Sequence, residues 1–182
     1  DDILAALSQH PSIEIRLFNP FVVRNPKWLG YFTDFRRLNY RMHNKSFTAD
    51  NQATIIGGRN IADEYFGAGQ GTLFADLDVL AIGPAVDEVS RDFDRYWDSS
   101  AAWPAQRILG EPESDAVAAL GNLFSGAENS DAASVYVHAL EDSGFLRKLL
   151  AGELTFSWAP VVMVSDDPAK VMGRNVKEDL LS

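Results

Sequence analysis

Apolar and polar residues alternate in short runs along this chain, as they do in half-buried β-strands. Residues 13–18 show the clearest alternation, and a short helix over 3–9 is predicted before them. Two later runs are joined by a tight turn at Asp50-Asn51. In all, the pattern predicts strands over 13–18, 45–49, 53–56 and 74–82.

Helical periodicity replaces this alternation after Pro84, a residue that suits the first position of a helix. The helix is predicted to run to about Asp98, because its apolar residues recur at three- and four-residue spacing on one face. These residues are Val86, Val89, Phe93 and Trp97. Further helices are predicted over 114–124 and 131–150, separated by a turn over 126–130.

A late strand over 161–164 is predicted near the end of the chain, followed by a breaker over 165–168 and the start of another helix. Because strands alternate with helices, the predicted class is α/β. The length of 182 residues corresponds to about one domain. We expect this domain to span 1–155, with a linker and the truncated start of a second half over 156–182.

The composition of the chain argues against several classes of function and of site. The formal net charge is −10, from 16 Lys and Arg against 26 Asp and Glu, which argues against general nucleic-acid binding because that needs many cations opposite phosphates. The chain has no cysteine, so it has no disulfide framework, no thiolate nucleophile and no Cys-ligated zinc. Its uncharged stretches are shorter than the roughly 20 residues of a membrane-spanning helix.

The strongest chemical signal lies over residues 43–60, which read H-x-K-x4-D-x6-G-G-x-N. Residues two apart on a strand share a face, so His43 and Lys45 are predicted to point the same way. An imidazole can attack or transfer a proton near neutral pH, and an ammonium group beside it stabilises charge on a phosphoryl oxygen. This pair therefore predicts phosphoryl chemistry.

The end of the pattern adds donors for the same ligand. At Gly57-Gly58 the absence of side chains lets a ligand approach the backbone N–H groups. Asn60 adds an amide donor on the same side. One imidazole, one cation, backbone donors and one amide together predict a cradle for a tetrahedral phosphate.

This pattern resembles the shared signature of the phospholipase D superfamily. The longer strings 57–67 and 74–86 are similar to the bacterial cardiolipin synthase branch. The likeness extends less specifically over 13–97 and weakly over 166–170. It implies an α/β fold with a central mixed sheet flanked by helices on both faces, and it identifies the chain as the N-terminal half of a two-motif enzyme.

The resemblance also implies roles for the motif residues. His43 becomes either the nucleophile or its acid/base counterpart, and Lys45 and Asn60 become phosphate ligands, together with the backbone at Gly57 and Gly58. The family uses no metal for this chemistry, and we expect neither a metal nor a cofactor here.

Two acidic positions have separate implied roles. Asp50 is expected to be structural, as a turn residue that tolerates the hairpin bend. In the family an acidic residue after the motif holds the imidazole in its working tautomer, and Asp76 is the predicted counterpart. Asp78 shares the predicted strand face of Asp76 and remains a rival.

The second motif that the family requires is absent from this sequence. Neither His10 nor His138 is followed by a Lys two residues on, and each is expected to be a loop or surface residue. A second half beyond Ser182 is the favoured source of the partner motif, and a homodimer is the alternative. We therefore expect the isolated chain to have little or no turnover.

The resemblance implies phosphatidyl transfer through a phosphohistidine intermediate, with cardiolipin as the product when the acceptor is phosphatidylglycerol. Three alternatives stay open: a phospholipase D-like hydrolase, a nuclease, and, for this chain alone, an inactive interaction half-domain. A phospholipid is the expected substrate, and nucleic acid is not an expected partner.

A basic, aromatic-rich stretch over 24–45 has a charge of +5 in this acidic chain. It is interpreted either as the entrance for a lipid headgroup and acyl chains or as an amphipathic helix with a solvated charged face. We expect peripheral membrane contact in a full-length bacterial protein, with this chain itself soluble.

Overall fold

Short strands and helices alternate in the structure, a computed structural model that describes residues 2–20, 41–60, 76–112 and 115–172. This alternation confirms the predicted α/β class. The basic stretch over 24–40 and the first two residues of the predicted strand 74–82 lie outside the described residues. The described elements are α1 (Asp2–Leu7), β1 (Arg16–Phe18), β2 (Ser46–Ala49), β3 (Ala53–Gly57), β4 (Asp78–Ile82), α2 (Pro84–Trp97), β5 (Ala102–Pro104), α3 (Ala105–Leu109), α4 (Ala116–Glu128), α5 (Asp131–Glu141), α6 (Gly144–Leu150) and a 3-10 helix (Pro168–Met172).

The described strands form two small antiparallel sheets. One joins β1 to β5, and the other has the order β2-β3-β4. In the second sheet Thr48 lies opposite Thr54, and Gly57 lies opposite Asp78. The parallel pairings of the expected mixed sheet do not occur among the described strands, all of which pair antiparallel.

The turn between β2 and β3 is the predicted one. Asp50 and Asn51 have φ values of 51° and 53°, and the N–H of Gln52 donates to the carbonyl of Ala49 at 2.9 Å. Asp and Asn adopt such left-handed conformations more readily than other non-glycine residues. The hydroxyl of Ser90 donates to the side-chain oxygen of Asn51 at 2.8 Å, which ties the turn to α2.

Helix α2 covers one face of the three-stranded sheet and buries apolar side chains against it. Its side chains Val86 and Val89 are 1% and 3% exposed. Thr54 of β3 is 1% exposed, and its hydroxyl lies 2.8 Å from that of Thr48, so this buried polar group keeps a hydrogen-bond partner. Phe93 was predicted on the apolar face of the helix but is 52% exposed, because there the helix borders an open cavity.

Helix boundaries after residue 115 differ from the predicted ones. Helix α4 continues through most of the predicted turn and ends at Glu128. The predicted helix 131–150 is two helices: the first ends at Glu141, and Ser143 caps the second by accepting from the N–H of Leu146 at 3.4 Å. The break follows from the preference of serine for the N-cap position, where its hydroxyl accepts a backbone hydrogen bond, over the interior of a helix. Within the described ranges no helix has both the length and the apolar character needed to cross a bilayer.

The predicted late strand over 161–164 is wrong, because these residues have no strand conformation. The N–H of Met163 donates to the side chain of Glu88 on α2 at 2.8 Å instead of to a neighbouring strand. Val161 and Val162 are 61% and 78% exposed. An apolar β-branched run fits a strand only where a sheet edge is available, and this segment instead lies along a helix.

Candidate functional site

A cavity of about 720 Å³ lies where β2 begins, β3 ends and the C-terminal half of α2 passes over them. Its lining has a polar part and an apolar part by residue type. The polar part includes His43, Asn44, Lys45, Arg59, Asn60 and Asp78. The apolar part includes Met42, Phe47, Ile55, Val89, Phe93 and Met163.

His43 and Lys45 both line this cavity, and both lie in the segment just before β2. The pairing of β2 with β3 extends to Lys45, whose carbonyl accepts from the N–H of Gly57 at 3.3 Å. The ammonium of Lys45 donates to the carbonyl of His43 at 2.9 Å. The predicted imidazole and cation thus line the same cavity, because both residues lead directly into β2.

Gly57 and Gly58 make room for two carboxylates, one from the first residue of β4 and one from just before that strand. A Cβ on Gly57 would overlap the carboxylate of Asp78 and lie 2.8 Å from the carbonyl oxygen of Leu77. A Cβ on Gly58 would overlap the carboxylate of Asp76, whose Cγ would lie 2.6 Å away. Protein atoms thus occupy the positions that side chains at both glycines would need, and the binding of phosphate by their backbone N–H groups stays a prediction. Gly57 and the nearby Asn60 also line the cavity.

The two rival acidic residues have different surroundings. Asp76 lies before β4 and accepts from the N–H of Leu77 at 2.8 Å. Asp78 lines the cavity and accepts from the Nε of Arg59 at 2.7 Å. Among the described residues no hydrogen bond joins either carboxylate to His43, so the orienting role of Asp76 stays a prediction.

Asp50 lies at the opposite end of the β2–β3 hairpin from the cavity. It occupies the turn at the far end of β2 and is exposed, in agreement with a turn position. His10 and His138 are also exposed and lie outside the cavity wall. Within the described part of the chain no group of three or more His, Asp or Glu residues could hold a metal ion.

Tyr96 connects the cavity to the segment after residue 162. Burial raises the pKa of its hydroxyl, assisted by the negative charges of Asp92 and Asp166, whereas a hydrogen bond from Asn44 and the charge of Arg95 lower it. The hydroxyl therefore stays protonated at neutral pH and donates to the carbonyl of Asp166 at 2.8 Å. This contact holds the segment that contributes Met163 to the cavity wall.

Sequence reasoning missed part of this wall. Arg59 and the α2 residues Asp92 and Phe93 were not predicted at the site, and Asp78 was considered only as a rival to Asp76. No local pattern could reveal Asp92, Phe93 or the cavity position of Asp78, because α2 and β4 reach the cavity through tertiary packing. Arg59 lies inside the motif, between Gly58 and Asn60, and that position could have indicated it. The antiparallel register that places Asp78 opposite Gly57 is the one signal that would have found the contact of Asp78 with Arg59.

The arrangement suits an amphiphilic phosphodiester. A cation, an imidazole and an amide line the cavity, where they can neutralise and orient a phosphate. The apolar side chains of the same cavity can cover adjacent hydrocarbon.

Comparison with known proteins finds two cardiolipin synthases among the relatives of this chain. It is 49% identical over 181 residues to cardiolipin synthase C of Escherichia coli K12, a match that covers 100% of this chain and 38% of that protein. The chain thus spans well under half of that relative's length. No family model matches the chain, and no solved structure matches it.

Two other relatives match shorter parts. Cardiolipin synthase 1 of Staphylococcus aureus COL is 38% identical over 68 residues, which is 37% of this chain and 14% of that protein. An uncharacterized protein of Helicobacter pylori 26695 is 48% identical over 94 residues, or 50% of this chain and 18% of that protein. The resemblance to bacterial cardiolipin synthases drawn from residues 43–86 is therefore confirmed.

Proposed function

We propose that the full-length protein is a phosphatidyltransferase that forms cardiolipin, and that the cavity of this chain binds the phosphate of the transferred phosphatidyl group. The observation that carries this proposal is that His43, Lys45 and Asn60 line one cavity. The similarity to cardiolipin synthases over the whole chain supports the choice of a phospholipid as substrate.

In the proposed reaction an imidazole nitrogen attacks the phosphorus of the donor lipid. The bond from phosphorus to the headgroup oxygen breaks, and that oxygen takes a proton from a second imidazole. The phosphatidyl group is then held as a phosphohistidine. The acceptor hydroxyl gives its proton to the second imidazole and attacks the phosphorus, which releases the first imidazole unchanged.

His43 supplies one of these two imidazoles, as the nucleophile or as its acid/base counterpart. A second motif, on a further half of the protein or on a second copy of this chain, supplies the other. The 182-residue chain tested alone as a monomer should therefore show little turnover, because losing a general acid lowers rates by about 10²- to 10⁴-fold.

Lys45 and Asn60 are proposed to bind the phosphoryl oxygens. Their donors are most effective where charge grows on those oxygens in the transition state. The apolar residues Phe47 and Phe93 border the same cavity, and we propose that they contact the hydrocarbon next to the phosphate. Asp76 is proposed to orient the imidazole in the assembled enzyme.

The test is a transfer assay with the purified full-length protein and mixed phospholipid vesicles that contain phosphatidylglycerol labelled in its glycerol backbone. We expect label to appear in cardiolipin. Label that appears only in phosphatidic acid would show a hydrolase, because water then replaces the lipid hydroxyl as acceptor. Recovery of the label in phosphatidylglycerol alone would contradict phosphatidyl transfer from or to this lipid.

A further inference from the structure

The ion pair between Arg59 and Asp78 is built into the polar wall of the cavity. The Nε of Arg59 lies 2.7 Å from Oδ2 of Asp78, and the two side chains are 35% and 28% exposed. Partly buried pairs are screened less by solvent and salt than fully exposed ones. This pair therefore differs from the exposed pair of Arg16 with Glu14, in which the Glu14 side chain is 63% exposed.

The pair spans the turn that presents Asn60. Arg59 lies between Gly58 and Asn60, and two successive glycines before it leave this turn with more backbone freedom than other residues would. Asp78 lies on β4 directly opposite Gly57. Its carboxylate occupies the space above Gly57 that a side chain there would fill. The pair thus fastens the glycine turn to the neighbouring strand.

We infer that Arg59 and Asp78 are positioning residues that hold the turn over 57–60 so that the amide of Asn60 faces the phosphate. The inference rests on the proposed phosphate site. Neither residue has to touch the phosphate for this role, since the contact with β4 fixes the backbone on both sides of Arg59. The carboxylate also neutralises Arg59, so that Lys45 supplies the cationic contact.

A positioning role of Asp78 and a purely electrostatic role predict opposite changes in phosphate affinity for Asp78→Asn. Removing the negative charge of Asp78 from the wall of an anion site should strengthen phosphate binding if only charge matters. If Asp78 positions the turn, the same change should weaken binding. Asp78→Asn keeps the size of the side chain, so the sign of its effect separates the two explanations.

The experiment measures the affinity of the 182-residue chain for inorganic phosphate by NMR titration. We expect Asp78→Asn to weaken binding by about five- to tenfold and to shift the side-chain amide signals of Asn60 before phosphate is added. The double variant with Arg59→Gln should bind no more weakly than Arg59→Gln alone, because the two residues act as one unit. Glu14→Gln breaks the Arg16 pair outside the cavity and should leave the affinity unchanged.

Unchanged or tighter binding in Asp78→Asn would overturn the positioning role. Should Asp78→Asn fail to fold, Arg59→Lys, which keeps the charge but loses the Nε contact, should weaken binding by about threefold or more. Wild-type affinity in that variant would also overturn the role. The proposed function is tested separately in the same series by Lys45→Ala. If that variant binds like the wild type, the phosphate site itself fails. If it loses binding while Asp78→Asn does not, only the positioning role fails.

Discussion

Replacing His43 with glutamine in the full-length protein should lower the rate of phosphatidyl transfer by about 10⁴-fold. The imidazole is proposed either to form the covalent bond to phosphorus or to protonate the leaving alcohol, and glutamine can do neither. His43 is exposed on the cavity wall, so the substitution should leave the melting temperature nearly unchanged. The measurement is the initial rate of cardiolipin formation together with a thermal unfolding curve.

His138 provides the matched control. Its side chain is 77% exposed on α5, outside the cavity, where it faces Glu141 at 3.4 Å. His138→Gln should keep the wild-type rate within about twofold, because exposed substitutions outside a site rarely change function or stability much. Equal loss of rate in both variants, or an active His43→Gln, would contradict the role of His43.

Replacing Gly57 with alanine should destabilise the chain by about 2–3 kcal/mol, the cost typical of forcing an extra methyl group into occupied space. The new Cβ would meet the carboxylate of Asp78 and the backbone carbonyl of Leu77. The backbone contact cannot be relieved by a rotamer change, so β3 and β4 must move apart. We expect the melting temperature to fall by about 5–10 °C.

Gly121→Ala tests the same chemical change where space is open. Gly121 lies within α4, and apart from the backbone of that helix and the adjacent residues a Cβ there would meet no atom within 4 Å. Alanine should stabilise this helix by about 0.5–1 kcal/mol, because glycine loses more backbone entropy on folding. Opposite signs at the two positions are therefore expected in calorimetry. A stabilised Gly57→Ala variant would show that the carboxylates are not packed against this strand.

Features specified by short stretches of sequence were predictable. The hairpin of β2 and β3 follows from two strand-like runs around Asp50-Asn51, and both residues have the positive φ values that this turn needs. Helix α2 follows from apolar spacing and from Pro84 at its start. The presence of His43 and Lys45 in one cavity was also predictable, because the two residues lie two positions apart just before one strand.

Features that depend on tertiary contacts were not predictable. The run over 161–164 has strand-like composition, but the hydrogen bond from Met163 to Glu88 ties it to α2. The contact of Arg59 with Asp78 joins residues 19 positions apart and exists only in the observed strand register. The apolar wall formed by Phe93 required knowledge of where α2 crosses the sheet.

A phosphate titration of the 182-residue chain, followed by the NMR signals of the Gly57 and Gly58 amides and of the Asn60 side chain, tests the central claim most directly. We expect these signals to shift together and to saturate at tens of millimolar phosphate, an affinity typical of a weak local anion site. Lys45→Ala should abolish the response, because it removes the cation on the same wall. Signals that stay still in the wild-type chain, or that shift equally in Lys45→Ala, would contradict a phosphate site in this cavity.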